Sequence, residues 1–479
     1  MLFTAAPIIQ QQEITATCNN NCPFCYNPER ITDAFDLRKS SHELNLALAK
    51  ISTEKGVMAV CLTGGEPLLS EDLLELLEIY KSADCYTSIN SNGRLIDAKI
   101  ANKLKQSGLN SVLVSIHGIN ADHDALVGCS GAFNETWKGI INLKNNEITL
   151  TPNFVLTAKN LNGLLCIGEK LLSIGIQQIA VTPFLPSWGV EIHKDYVLDL
   201  HHYKEYFLSL RKLKNSGLDV DSTLPIPPCL LIKLFPSNWE DYFDVHSPRV
   251  CMAGRSFGVI SPDGNFRPCI QAPYFSEYGG QVLNDYQNSW RKASKWACST
   301  LIPKECINCN ALSICGGGCR TSCLWQNSGQ IKGKTMYMHE PLTKHQADKF
   351  LRRTKINMPE PIGEIYAFKK NIKARNEEWG IILFNQINQS FTVLSKNFSH
   401  HLSFNKMLKI TNAKLLKVLL AMQAVDPAMN QIDTKMAAVD LDDIHVLPGN
   451  LLFPRLGIGL TNPQEVYCLR ADTGERYFF

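Results

Sequence analysis

The chain of 479 residues has no stretch approaching the roughly 20 consecutive apolar residues that a bilayer-spanning helix needs. It also lacks a long basic run, and its formal net charge of +3 is small for its length, which removes the electrostatic footprint of a nucleic-acid binder. The start, Met1 to Gln12, has no basic segment followed by an apolar core and a cleavage site. These absences set the expectation of a cytoplasmic protein with no membrane and no nucleic acid among its partners. Low-complexity tracts are missing too, and the ordinary hydrophobic and charged fractions fit a folded chain of two or three domains.

Cysteine, by contrast, is plentiful. Seventeen cysteines in a chain expected in a reducing compartment argue for metal rather than disulfides. Ten fall into two groups, Cys18 to Cys25 and Cys251 to Cys323. The single ones, Cys61, Cys85, Cys129, Cys166, Cys229, Cys298 and Cys468, read as small buried hydrophobes.

From residue 8 to about 215, short β-branched runs alternate with amphipathic stretches. Strands are predicted over 12–17, 58–62, 86–90, 111–116, 151–156 and 178–183, with helices over 41–55, 71–82, 97–107, 133–145, 164–174 and 196–215. Six such units predict an α/β fold, an incomplete (β/α)6 barrel with its chemistry on the loops after the strands. Prolines 225, 227, 228, 236 and 248 break the pattern before the second cysteine group. Beyond residue 346 cysteine almost vanishes, Pro359 and Pro361 mark a linker, and strand-like 379–384 and 390–394 precede helical 413–424 as a small α+β domain. The expected domains are 8–220, 248–345 and 360–479.

Cys18, Cys22 and Cys25 are spaced C-x3-C-x2-C in the loop after the first strand. Three thiolates leave one iron of a [4Fe–4S] cluster without a protein ligand, open to the amine and carboxylate of a small molecule. A structural zinc site would want a fourth nearby Cys or His, and none is present. This loop, Cys18-Asn-Asn-Asn-Cys22-Pro-Phe-Cys25, resembles that of the radical SAM superfamily, and Gly64-Gly65-Glu66-Pro67 after the second strand resembles the family's segment for the methionine amine of S-adenosylmethionine (SAM). By that resemblance Gly64, Gly65, Glu66, Asn92, Ser115 and Asn160 would contact SAM. His117 stands where many relatives have aspartate.

The second group runs Cys251, Gly264 with four residues to Cys269, then Cys306-x2-Cys309-x5-Cys315-x3-Cys319 and Cys323. It resembles the SPASM extension of radical SAM enzymes, which holds two further [4Fe–4S] clusters. The resemblance implies an outer cluster on Cys306, Cys309, Cys315 and Cys323, and an inner one on Cys251, Cys269 and Cys319. Cys323 follows Cys319 at a shorter gap than in relatives, with His339 or water as the alternative ligand. No eighth cysteine separates Cys251 from Cys269, so the inner cluster has an open iron or borrows Cys229 or Cys298. A zinc ribbon on Cys306, Cys309, Cys315 and Cys319 is the competing reading.

The resemblance implies an oxidoreductase that cleaves SAM reductively to a 5′-deoxyadenosyl radical, with three clusters and an electron donor such as flavodoxin or ferredoxin. The expected substrate is a precursor peptide or protein that acquires a carbon–carbon or thioether crosslink, with residues 363–424 loosely resembling a leader-peptide recognition domain. Alternatives are formylglycine formation in a sulfatase, dehydrogenation of a small alcohol, and a non-catalytic electron-transfer scaffold. No spacing singles out a catalytic proton acceptor; His117, Asp263 and Tyr274 are the candidates.

Overall fold

The computed structural model describes residues 4–27, 40–186, 191–246, 249–272, 276–297, 301–328 and 340–353. Of the remainder it describes 365–395, 407–409, 413–427 and the short strands 439–440, 446–447, 466–470 and 476–478. Cys298, Tyr274 and His339 lie outside these residues, as does the side chain of Cys468.

The alternating pattern folds as βα units: β1 (Ile9–Thr15), α1 (His42–Glu54), β2 (Ala59–Gly64), α2 (Leu73–Ser82), β3 (Tyr86–Ser91), α3 (Ala98–Gln106), β4 (Ser111–Ser115), α4 (Ala121–Val127), α5 (Ala132–Asn145), β5 (Thr149–Leu156), α6 (Gly163–Ser173), β6 (Gln178–Pro183) and α7 (Leu200–Asn215). Helix starts are set by side-chain caps at Ser41, Asp97 and Asp199, each accepting a bond from an amide of the first turn. A seventh parallel strand, β7 (Asp219–Ser222), follows, and then α8 (Pro228–Leu234). This strand falls at the proline-rich boundary, where periodicity fails. β8 (Phe257–Ile260), β9 (Asn265–Arg267) and β10 (Gly280–Gln281) extend the other edge, giving the order β10-β9-β8-β1-β2-β3-β4-β5-β6-β7. β8 joins β1 in parallel, so the second cysteine region grows directly out of the barrel sheet.

β1 is buried along its whole length despite three glutamines and a glutamate. Two of the glutamines are held internally: Tyr80 and Tyr286 donate to Gln12 and Gln10 at 2.7 and 2.8 Å, and Gln10 donates to Ser52 at 2.8 Å. Glu13 pairs with Arg267 of β9, burying both charges together.

After β10 come α9 (Tyr286–Ser294), α10 (Leu312–Cys315), α11 (Arg320–Ser328) and α12 (Lys344–Arg353). The tail supplies β11 (Ile365–Phe368), β12 (Ile372–Glu377), β13 (Gly380–Asn385), β14 (Ser390–Ser395) and α13 (Ala413–Ala421). Strand period two gives β13 and β14 two working faces. Ile381, Leu383 and Leu394 pack on Leu415, Val418 and Leu419 of the α13 helix. Ile382, Phe384, Phe391 and Val393 pack on Ile8, Ile9, Met58 and Ala59, at the beginnings of β1 and β2. Arg375 reinforces this joint by donating to the carbonyls of Ala6, Pro7 and Gly56 and to Glu377, which accepts from the Ala5 amide at 2.9 Å. The tail therefore docks on the barrel end opposite the loops that follow the strands.

Candidate active site

Because β1 to β7 run parallel, the segments after them meet at one edge of the sheet. Cys18, Cys22 and Cys25 follow β1, Gly64 to Glu66 end and follow β2, Ser91 to Arg94 follow β3, Ser115 to Gly118 follow β4, and Thr157 to Asn160 follow β5. The two glycines fit their neighbours rather than leaving open space. A Cβ on Gly64 would lie 2.0 Å from the Thr15 carbonyl oxygen, and one on Gly65 2.1 Å from that of Thr17. In their absence the Gly65 and Glu66 amides donate to those same carbonyls at 2.7 and 2.8 Å, clamping the cysteine loop to β2. Gly64 also sits at φ +136°, where a side chain would be strained.

Glu66 is 1% exposed, and three donors engage its carboxylate: the Ser91 hydroxyl at 2.7 Å, the Asn92 amide at 2.8 Å and the Leu68 amide at 3.2 Å. Burial pushes its carboxyl up to about 7, against the pull of those bonds. The residue thus brackets the ends of β2 and β3. Asn92 carries the bracket to the cysteines, donating to Asn19 Oδ1 at 2.6 Å and contacting Cys18 Sγ at 3.9 Å. Arg94 donates to the Asn19 carbonyl and Asn20 Oδ1 and pairs with Glu135, tying the loop to α5.

Ser115 is half-buried at the last position of β4, opposite Asn153 of β5, and Thr182 of β6 donates to Asn153 Oδ1 at 2.7 Å. This polar row at the strand ends escaped the sequence reading, whose only signal was a lone Asn within an apolar run. Asn160 is occupied by its own loop: its Oδ1 accepts from the Thr157 amide and hydroxyl, and its Nδ2 donates to the His117 and Val155 carbonyls. His117 accepts the Val155 amide on Nδ1, and burial beside His123 lowers it to about 3. A neutral imidazole with so low a value is a poor proton acceptor. Asp263 is engaged in the β8–β9 turn by Ser261 and Asn265. Neither is poised for acid–base chemistry.

Phe24 joins the two cysteine groups. Its ring lies 5.3 Å from that of His117 and 6.3 Å from that of Phe184, and the same apolar cluster holds Cys22 and Cys319. Within the second group, Cys319 is pushed up by burial and by neighbouring Cys251 and Cys269. Cys306, Cys309 and Cys315 line a separate recess with Cys229. Cys319, the fourth sulfur of a zinc ribbon, is not among the walls of that recess. Among the described residues no three His, Cys, Asp or Glu side chains close on a point as a single ion demands. A cubane spreads its thiolates more widely than one ion does.

The donor set fits iron–sulfur clusters on two counts. Backbone amides point at sulfur from Asn20 to Cys18, Gln271 to Cys269, and Ala311 and Leu342 to Cys309, at 3.2 to 3.4 Å. Arg320, directly after Cys319, is 1% exposed. It donates through Nη1 to the Gly316 and Gly318 carbonyls, while Nε and Nη2 are buried without a partner among the described residues. A buried guanidinium with idle donors calls for an anion, and a thiolate-ligated cluster is one. Its only sequence signal was a lone arginine in a Gly/Cys run.

Residues 13–163 match the Radical SAM superfamily. The PqqA peptide cyclase of Granulibacter bethesdensis is 25% identical over 326 residues, covering 64% of this chain and 81% of its own length. An AdoMet-dependent heme synthase of Oleidesulfovibrio alaskensis is 25% identical over 362 residues, covering 70% and 88%. Among solved structures, Streptococcus suis SuiB bound to S-adenosylmethionine superposes with a TM-score of 0.53 at 16% identity, covering 70% of this chain and 77% of that one. For anSMEcpe with bound AdoMet the values are 0.50, 17%, 72% and 96%. At such identities the structures establish the fold. Residues 13–163 are thus a radical SAM domain. The chain is an enzyme that works with SAM and a [4Fe–4S] cluster.

Proposed function

We propose that Cys18, Cys22 and Cys25 hold the SAM-cleaving cluster, that the segment 251–323 holds two more, and that the substrate is a precursor peptide or protein that acquires a carbon–carbon or thioether crosslink. The observation that carries the reading is the clamp of Gly64, Gly65 and Asn92 on the three-cysteine loop at the barrel edge. When bound, the reduced cluster and SAM supply a 5′-deoxyadenosyl radical able to take hydrogen from an unactivated carbon. The chain's own residues orient and protect. Amides directed at Cys18 spread the charge of its sulfur, while Phe24, His117 and Phe184 exclude water beside the loop. In this reading Gly64, Gly65, Glu66, Asn92, Ser115 and Asn160 would contact SAM, and Glu66 and Asn160 also hold those segments in place. An external flavodoxin or ferredoxin is the electron source in this scheme.

Peptide chemistry is supported by relatives named peptide cyclases and by the solved complex of SuiB with precursor peptide SuiA. Relatives named heme synthases show that the scaffold also serves other substrates. Residues 360–479 are proposed as a separate domain, with 8–220 and 248–345 as the other two. Where described, both faces of its β13–β14 sheet are covered, so leader binding there would use a strand edge. Removing these residues would bare Ile8, Ile9, Met58 and Ala59, and we expect loss of solubility, read by sedimentation.

The test is anaerobic incubation of reconstituted protein with SAM, reductant and the peptides encoded beside its gene. Formation of 5′-deoxyadenosine with loss of two hydrogens from one peptide is expected. Abundant 5′-deoxyadenosine with no altered peptide, but with turnover of a porphyrin or an alcohol, would refute the substrate class.

A further inference from the structure

We infer that Cys229, not Cys323, completes the outer four-sulfur site with Cys306, Cys309 and Cys315, and that Cys323 belongs with Cys251, Cys269 and Cys319. This rests on the reading that the second cysteine region holds clusters.

The recess of about 260 Å³, open in part to solvent, is lined by Cys229, Cys306, Cys309 and Cys315 together with Pro227 and Leu342, and Cys323 is not among its walls. Cys229 reaches it from outside the motif, as the second residue of α8. Gly318, at φ +83°, packs close beneath this approach, with the Pro225 carbonyl and the Pro227 ring 3.3 and 3.4 Å from where a Cβ would stand. The segment 340–342 closes the recess with amides. Glu340 directs its N–H at the Cys229 sulfur, and Leu342 donates to Cys309 Sγ at 3.3 Å. Cys229 therefore shares the amide-to-sulfur setting of the motif cysteines.

Cys323 is placed by the helix that follows Cys319. It stands one helical turn after Cys319, with its amide bonded to the Cys319 carbonyl at 3.0 Å, so the two side chains share a helix face. Its sulfur lies 3.5 Å from the Gly317 carbonyl, and its charged neighbours are Arg320 and Cys251. The short Cys319-x3-Cys323 gap follows from this. A helical turn brings a fourth sulfur to the inner set, and the outer set, deprived of a late cysteine, takes one from α8. Each set then holds four thiolates, with Arg320 between them as counter-cation.

The full chain, reconstituted anaerobically, is assayed for iron and by EPR and Mössbauer spectroscopy. Wild type should carry about twelve irons. Cys229→Ser should retain them while one outer-cluster iron changes its Mössbauer parameters to those of oxygen ligation. In a Cys306→Ala/Cys309→Ala background holding about eight irons, adding Cys229→Ala should change nothing, whereas adding Cys323→Ala should disturb a remaining cluster. An unaltered Mössbauer spectrum of Cys229→Ser, or further iron loss when Cys229→Ala is added to the double variant, would overturn the assignment. A SAM-responsive EPR signal in each variant verifies that the barrel is folded. About four irons in wild type would instead overturn the auxiliary clusters themselves.

Discussion

The two cysteine groups solve different problems. Cys18, Cys22 and Cys25 come from a single loop, and everything around them is a brace: glycines pressed onto carbonyls, Asn92 and Arg94 reaching over from β3, Glu66 locked between strands. The second group draws sulfurs from α8, from the loops flanking β8 and β9, from the segment leading into α10, and from α10 and the start of α11, and it encloses a charged arginine. One group is a loop held still by a finished barrel, with room left for a ligand. The other is a set of loops that lacks a full complement of partners until metal supplies it. Shape precedes metal in the first group, and metal completes shape in the second.

The sharpest way to break that contrast is to remove thiols from each group. Replacing Cys18, Cys22 and Cys25 by alanine should abolish 5′-deoxyadenosine formation with little loss of fold, because the brace remains. Replacing Cys306 and Cys309 should leave uncoupled SAM cleavage but no modified product. Product formation by the first variant, measured by mass spectrometry, would collapse the distinction. Next in size is Gly65→Ala. Its new methyl must displace the Thr17 carbonyl, at a cost of about 3 kcal/mol or more, and the first cluster's iron should be lost while the second region keeps its own. Iron content and thermal unfolding read both effects.

Glu66 offers a subtler probe of the brace. Its ordinary value of 4.5 rises to about 7 in the folded chain, so over that window the native state keeps a proton that the unfolded chain has released. Stability from this group is therefore greatest below about 4.5 and falls as pH approaches 7, by up to about 3 kcal/mol. Glu66→Gln should flatten that slope in denaturant titrations across pH 4.5 to 7, and an unchanged slope would place the carboxylate outside the bracket described. Smallest is Arg320→Met. In metal-free protein it removes a buried charge with idle donors and should raise stability by about 1–2 kcal/mol, yet iron should be lost more readily from the second region. If apo stability falls instead, Arg320 already has its partner without metal.

Much of this was legible in the sequence. The strand over 178–183 coincides with β6, the other five barrel strands and six helices fall within a few residues of their observed bounds, and the loops after the strands carry the cysteine triad as expected. Misses trace to groups whose partners lie far along the chain. β1 begins at Ile9, earlier than its apolar pattern suggested, because Gln10 is satisfied by Ser52 and Tyr286. β7, just before the run of prolines that starts at Pro225, was missed because a short edge strand has no alternation to display. The partners of Glu66 and Asn160 could not be read from sequence, because the donors and carbonyls that engage them arise from other loops. Cys229 looked like one of the scattered hydrophobes, and only the folding of α8 against Gly318 brings it to the other sulfurs.

The central claim is that the brace around Cys18, Cys22 and Cys25 presents one cluster with an iron open to SAM. EPR spectra of the reduced full-length protein, recorded with and without SAM, test it most directly. One cluster signal should shift on adding SAM, the shift should vanish in the Cys18/Cys22/Cys25→Ala variant, and it should persist in Cys306→Ala/Cys309→Ala. A spectrum indifferent to SAM, or a shift that survives loss of the first three cysteines, would contradict it.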